Sequence, residues 1–181
     1  MLFTIVGILV VSIIGTLLHF VYEFSKHNKV VGLFSAVNES TWEHIKIALT
    51  AMFFWSLIDG ALYGSLANYF VAKFVSLFAV IVLIPLLFYG YKALLGKDFL
   101  FMDVIVFNVV IICSQLIFSY MINMNDFNFI YRYVSCIGLF IIFGSYMVFT
   151  LMPIKNFIFK DPISHKYGFK GHTHIFDEKN K

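Results

Sequence analysis

LFTIVGILVVSIIGTLLHFVYEF, Leu2 to Phe24, is the stretch whose reading decides the fold. It carries no charged residue before His19, and as an α-helix it is about 34 Å long, enough to cross the roughly 30 Å hydrocarbon layer of a bilayer. Its start has no Lys or Arg and no small-residue cleavage site follows, so it reads as a retained first span and not as a secretory signal peptide. Its polar residues are ordered. Ser12, Thr16, His19 and Glu23 fall within about 60° of one another on a helix. An ionisable group at membrane depth costs at least ~2.5 kcal/mol and faces a bundle interior or an aqueous cavity. His19 and Glu23, four residues apart, can share a ligand or a proton.

The rest of the chain repeats this plan. It is 61% hydrophobic and 13% charged, has 23 phenylalanines among 181 residues, and its mean hydropathy is +0.89. That is more apolar surface than a soluble domain of this size can bury. No run shows the polar alternation of a lipid-facing barrel strand. The expected fold class is therefore all-α: a polytopic membrane bundle of five transmembrane helices over residues 1–153, followed by a polar tail, 154–181. Further spans are expected from about Ser40 to Tyr63, Tyr69 to Tyr91 with a bend at Pro85, Phe99 to Ile122, and Phe129 to Met152, where Pro153 ends the last. The Gly60/Gly64 pair suggests close helix packing, and Asn108, Gln115 and Ser119 form a second polar stripe that reads as interhelical glue. Cys113 and Cys136 read as small buried hydrophobes. Asp59 and Asp103 lie near predicted span ends, where solvent is expected to reach them.

Lysine placement orients the bundle. With five spans, Lys26, Lys29, Lys46, Lys92, Lys97 and the six lysines from Lys155 onward fall on one side, while Lys73 and Arg132 fall on the other. The positive-inside rule then puts the N-terminus outside and the C-terminus in the cytoplasm, even with the distal tail lysines discounted. All six histidines, with Glu23, Glu39, Glu43 and Asp161, gather near or beyond the cytoplasmic surface. The net charge of +3 comes from scattered lysines, which excludes a nucleic-acid-binding face.

The candidate site centres on VNESTWEHIK, Val37 to Lys46. His19, Glu23 and His44 are the expected ligands of a divalent transition metal, zinc or similar, because imidazole nitrogen and carboxylate oxygen are the donor set for such ions. Glu39 and Glu43 are the expected catalytic carboxylates, one acting as base. Glu43 has a second reading, as half of a capping box with Ser40. Trp42 reads as an interface anchor, and His172-Thr173-His174 as a solvated segment of the tail. No spacing matches HExxH or another established metal motif. Three functions stay open: a metal-dependent, hydrolase-like membrane enzyme; a small transporter or transporter subunit that uses the same acids and histidines; and a non-catalytic accessory or immunity protein. Membrane lipids are the expected partners, with a homo-oligomer or a partner membrane subunit.

HFVYEF (His19 to Phe24), VNESTWEHIK and DPISHKYG (Asp161 to Gly168) together resemble a family of small uncharacterised multi-spanning proteins from anaerobic Gram-positive bacteria, with VNESxWEH the most specific string. The resemblance implies a multi-pass protein of the bacterial cytoplasmic membrane, and it carries over no activity and no residue roles.

Overall fold

The computed structural model describes residues 1–97 and 99–171. It contains α1 (Leu2–Phe24), α2 (Lys29–Gly32), α3 (Thr41–Tyr63), α4 (Tyr69–Leu95), α5 (Leu100–Ile122) and α6 (Phe129–Leu151), then a 3₁₀ turn at Gly168–Gly171. Among the described residues there is no strand, only an isolated bridge between Lys160 and Tyr167. The five expected spans are all present, and α4 runs unbroken through Pro85. Each of the five is long and apolar enough to cross a membrane. Large apolar side chains cover their outer faces, including Leu9 (58% exposed), Leu86 (61%) and Phe140 (75%). In water such a surface would aggregate; in lipid it is the solvated face of a multi-pass membrane protein.

Helix α4 lies at the centre, against α3, α5 and α6, while α1 packs on α3 and α5. The packed face of α1 is Gly7, Val11, Gly15, Leu18 and Tyr22, and not the polar stripe at Ser12 and Thr16. Lipid tails are as apolar as leucine, so helices associate where small residues let them approach closely. A Cβ on Gly15 would stand 2.6 Å from the Phe107 ring. Thr16 needs no partner helix, because its hydroxyl donates to the Ser12 carbonyl at 2.8 Å.

The connection between α1 and α3 folds over the end of the bundle. Asn28 caps the short α2 by accepting from the Val30 amide at 2.9 Å. The chain then runs inward, with Ser35, Ala36, Val37, Asn38 and Ser40 all buried. The tail closes over this loop: the Trp42 amide donates to the Ile158 carbonyl at 3.0 Å, and the Asn38 side chain donates to the Gly168 carbonyl at 2.9 Å. Trp42 stacks on Phe159 with ring centroids 4.6 Å apart. It is a core residue under the tail, where an interface anchor was expected. His172 and His174 lie outside the described residues.

Among the described residues, two buried ion pairs hold the two ends. Near the loop, Lys46 donates to Glu43 at 2.6 Å, to the Gly32 carbonyl at 2.8 Å and to Thr150 at 3.1 Å. At the far end, Lys73 pairs with Asp59, which also accepts from the Tyr69 hydroxyl at 2.8 Å. Asp59 is fully buried. Solvent does not reach it, because α3 and α4 form a hairpin that puts the lysine of one helix against the acid of the other. Of the second polar stripe, Ser119 accepts from Thr4 at 3.0 Å and joins α5 to α1. Asn108 instead bonds back to Val104 on its own helix. Cys113 and Cys136 are free and half-buried.

Candidate metal centre

VNESTWEHIK straddles the start of a helix, and that position separates its carboxylates. Val37 to Ser40 is irregular and α3 begins at Thr41. Ser40 makes no side-chain cap bond; its amide is instead satisfied by Asn38 at 2.8 Å. The capping box is therefore absent. Glu43, in the first turn of α3, points into the core, where it accepts from the Val37 amide at 2.9 Å and from Lys46. Glu39, in the loop, points the other way, toward α1. Its backbone amide donates to Asp161 of the tail at 3.0 Å, which fixes the loop at that residue.

Glu39 meets His19 there, with Oε1 at 3.3 Å from Nε2. His44, one turn into α3, brings its ring to 5.5 Å from that of His19, centroid to centroid. One donor atom from each of His19, Glu39 and His44 lies within 4.8 Å of the other two. The Nδ1 of His44 stands 3.0 Å from the Ser40 carbonyl. A carbonyl only accepts, so Nδ1 carries the proton and Nε2 is left as the acceptor nitrogen. This is the arrangement that orients metal-binding histidines, with the second ring nitrogen tied to a carbonyl. Bonds of 2.0–2.1 Å in a tetrahedron set ligand atoms about 3.3 Å apart, and the His19 to Glu39 separation equals that edge.

Of the residues singled out in the sequence, the structure brings together His19, Glu39 and His44. Glu23 lies one turn beyond His19 and contacts His27 at 3.0 Å, and Glu43 belongs to the Lys46 pair. Glu39 and His44 also line a cavity of about 380 Å³ between α3, α4, α5 and the tail. Its other walls are mostly apolar, with Ile84, Phe88, Val106 and Phe107 among them. This volume and lining are those of a small-molecule site. Sequence reasoning missed two contributors. Asp103, expected in solvent, is half-buried on the cavity wall and accepts from the Tyr91 hydroxyl. Pro162 and Ile163, from the DPISH string, close the cavity from the tail. That string was visible in the sequence, but nothing local marked it as a lid.

The fold and these side chains define a class: a multi-pass helical membrane protein with two histidines and one carboxylate converging at one mouth of the bundle. The chain belongs to a family of unknown function, DUF6512, whose model matches residues 2–169. The match takes in all five long helices, His19, Glu39 and His44, and the tail as far as Phe169. No curated protein and no solved structure matches the chain.

Proposed function

We propose that the chain holds a divalent transition metal at His19, Glu39 and His44 and acts as a membrane-embedded, metal-dependent enzyme of hydrolase type, from the cytoplasmic face of a bacterial cell membrane. The observation that carries this reading is the convergence of three donor atoms within 4.8 Å on the edge of a largely apolar cavity. The 3.3 Å contact of His19 with Glu39 would serve equally well as a plain ion pair. An ion pair gives no reason for His44 to join the group with Nδ1 tied down and Nε2 left over. Three protein ligands leave a position for water or substrate, and a metal held this way lowers the pKa of its water toward 7 and polarises an ester or amide carbonyl. Glu39, expected as a catalytic acid or base, serves as a ligand in this reading, and Asp103, on the wall of the same cavity, takes the role of base.

The orientation rests on the lysine asymmetry. A transport path through a single copy gains no support, since Val11, Ala48, Met52, Val80 and Val110, all fully buried, fill the centre of the bundle. Metal analysis of the purified protein tests the proposal. After chelation and reloading, the wild type should carry about one zinc or iron equivalent per chain, and His19→Ala and His44→Ala should carry none. A wild type without bound transition metal would remove the metal reading and leave the non-catalytic one.

A further inference from the structure

A second, smaller pocket of about 170 Å³ adjoins the first and shares Glu39, Thr41, Phe88 and Pro162 with it. Its character is different. Lys92 from the last turn of α4, Lys160 and His165 from the tail line it, together with the Tyr89 hydroxyl. The DPISH turn builds the boundary between the two: Ile163 lines the first pocket, His165 lines the second and Pro162 lines both. The turn is held firmly, because Asp161 accepts from the amides of Glu39 and Ser164, and the Ser164 hydroxyl donates to the Gly171 carbonyl at 3.1 Å. The apolar pocket therefore runs directly into a charged one, where two lysines and a histidine stand beside Asp161, with Glu39 at the junction.

We infer that the paired pockets bind a phosphate-bearing amphiphile, the phosphate against Lys92, Lys160 and His165 and the first part of the apolar chain between α4 and α5. This deepens the metal reading and rests on it. Across the two pockets two lysines face three carboxylates, Glu39, Asp103 and Asp161, and a divalent ion on Glu39 turns that balance positive. The lysine ammoniums and the histidine ring N–H are donors suited to a phosphate anion. A lipid source is favoured over free phosphate by the other pocket. Six of its lining residues are apolar aliphatic or aromatic side chains from α4, α5 and the tail. One of them, Leu100, is 79% exposed at the start of α5, where a chain can pass into the bilayer.

The test uses full-length protein in a non-ionic detergent, zinc-loaded, with metal counted in every sample. Binding of dioleoyl phosphatidic acid, dioleoylglycerol and inorganic phosphate is compared by native mass spectrometry and thermal shift. Phosphatidic acid should bind best, and Lys92→Gln/Lys160→Gln should weaken it by roughly tenfold or more with metal content unchanged. Lys155→Gln/Lys170→Gln, which removes the same charge beside a different pocket, should leave it at wild-type strength. Metal-loaded protein that binds diacylglycerol as well as phosphatidic acid, or that loses affinity equally in both lysine pairs, overturns the subsite and leaves the metal site standing. Inorganic phosphate binding as tightly as the lipid overturns the lipid assignment. A wild type that takes up no metal removes the metal reading, and this inference with it.

Discussion

Replacing Glu43 should unfold the protein, whereas replacing Glu39 should only empty its site. Glu43 and Lys46 are both essentially inaccessible to solvent, and the ammonium has three acceptors: the Glu43 carboxylate, the Gly32 carbonyl and the Thr150 hydroxyl. Glu43→Gln leaves the lysine its two neutral acceptors and no counter-charge, and stranding one member of a buried pair costs about 3–5 kcal/mol. Glu43→Ala also orphans the buried Val37 amide, which adds about 1–3 kcal/mol. Glu39 and His19 retain a quarter and a fifth of their side-chain exposure, so Glu39→Gln should change stability by no more than about 1 kcal/mol. Unfolding in mixed micelles of increasing SDS fraction, followed by tryptophan fluorescence with chelator present, measures both without a metal contribution. Glu43→Gln/Lys46→Met is the control for charge, and it should recover most of the loss because no unpaired ammonium stays buried while the glutamine oxygen still accepts from the Val37 amide. If Glu43→Gln unfolds with the wild type while Glu39→Gln falls by several kcal/mol, the division of the two acids into scaffold and site is wrong.

At the far end, Asp59→Asn should cost a similar 3–5 kcal/mol by stranding Lys73, and the loss should add to that of Glu43→Gln because the two pairs share no partner. Gly15→Val should cost about 1–3 kcal/mol by driving a side chain into the Phe107 ring, and Phe107→Ala in the same chain should return part of it. Trp42→Ala removes the stack on Phe159, and a buried tryptophan truncated to alanine typically loses about 3–5 kcal/mol. Limited proteolysis should then cut between residues 153 and 171 faster than in the wild type, while the spans stay protected.

The spans were legible because one physical requirement, enough apolar length to cross a bilayer, leaves a signal in every window of the sequence. The packing face of α1 was less so. Ser12 and Thr16 stand out as letters, yet the Thr16 hydroxyl is satisfied by its own backbone, and the seam follows Gly7, Val11 and Gly15, which no polarity count marks. Asp59 was placed near an end and read as solvated, and Lys73 entered only the count that oriented the bundle. Their pairing depends on the hairpin between α3 and α4, which brings positions fourteen residues apart into contact. That His19 and His44 would share one mouth of the bundle was legible, because the lysine-oriented topology puts both at that end. Their third partner was not: the i,i+4 spacing favoured Glu23, but the helix continues past His19 and carries Glu23 on to His27, while a loop returning over the bundle supplies Glu39.

The two acids of VNESTWEHIK show why spacing alone could not assign them. Glu39 and Glu43 stand four apart, a spacing that would put them on one face of a continuous helix. The helix begins between them, at Thr41, so one follows the loop outward and the other the helix inward. What makes the chain break there is distant: Asn38 and Trp42 are bonded to the tail, Glu39 is pinned through its amide to Asp161, and Val37 is anchored on Glu43. The buried pair and the tail thus act together on a single short loop. The position of Glu39 opposite His19 is the product of both, which is why scaffold and site occupy the same ten residues.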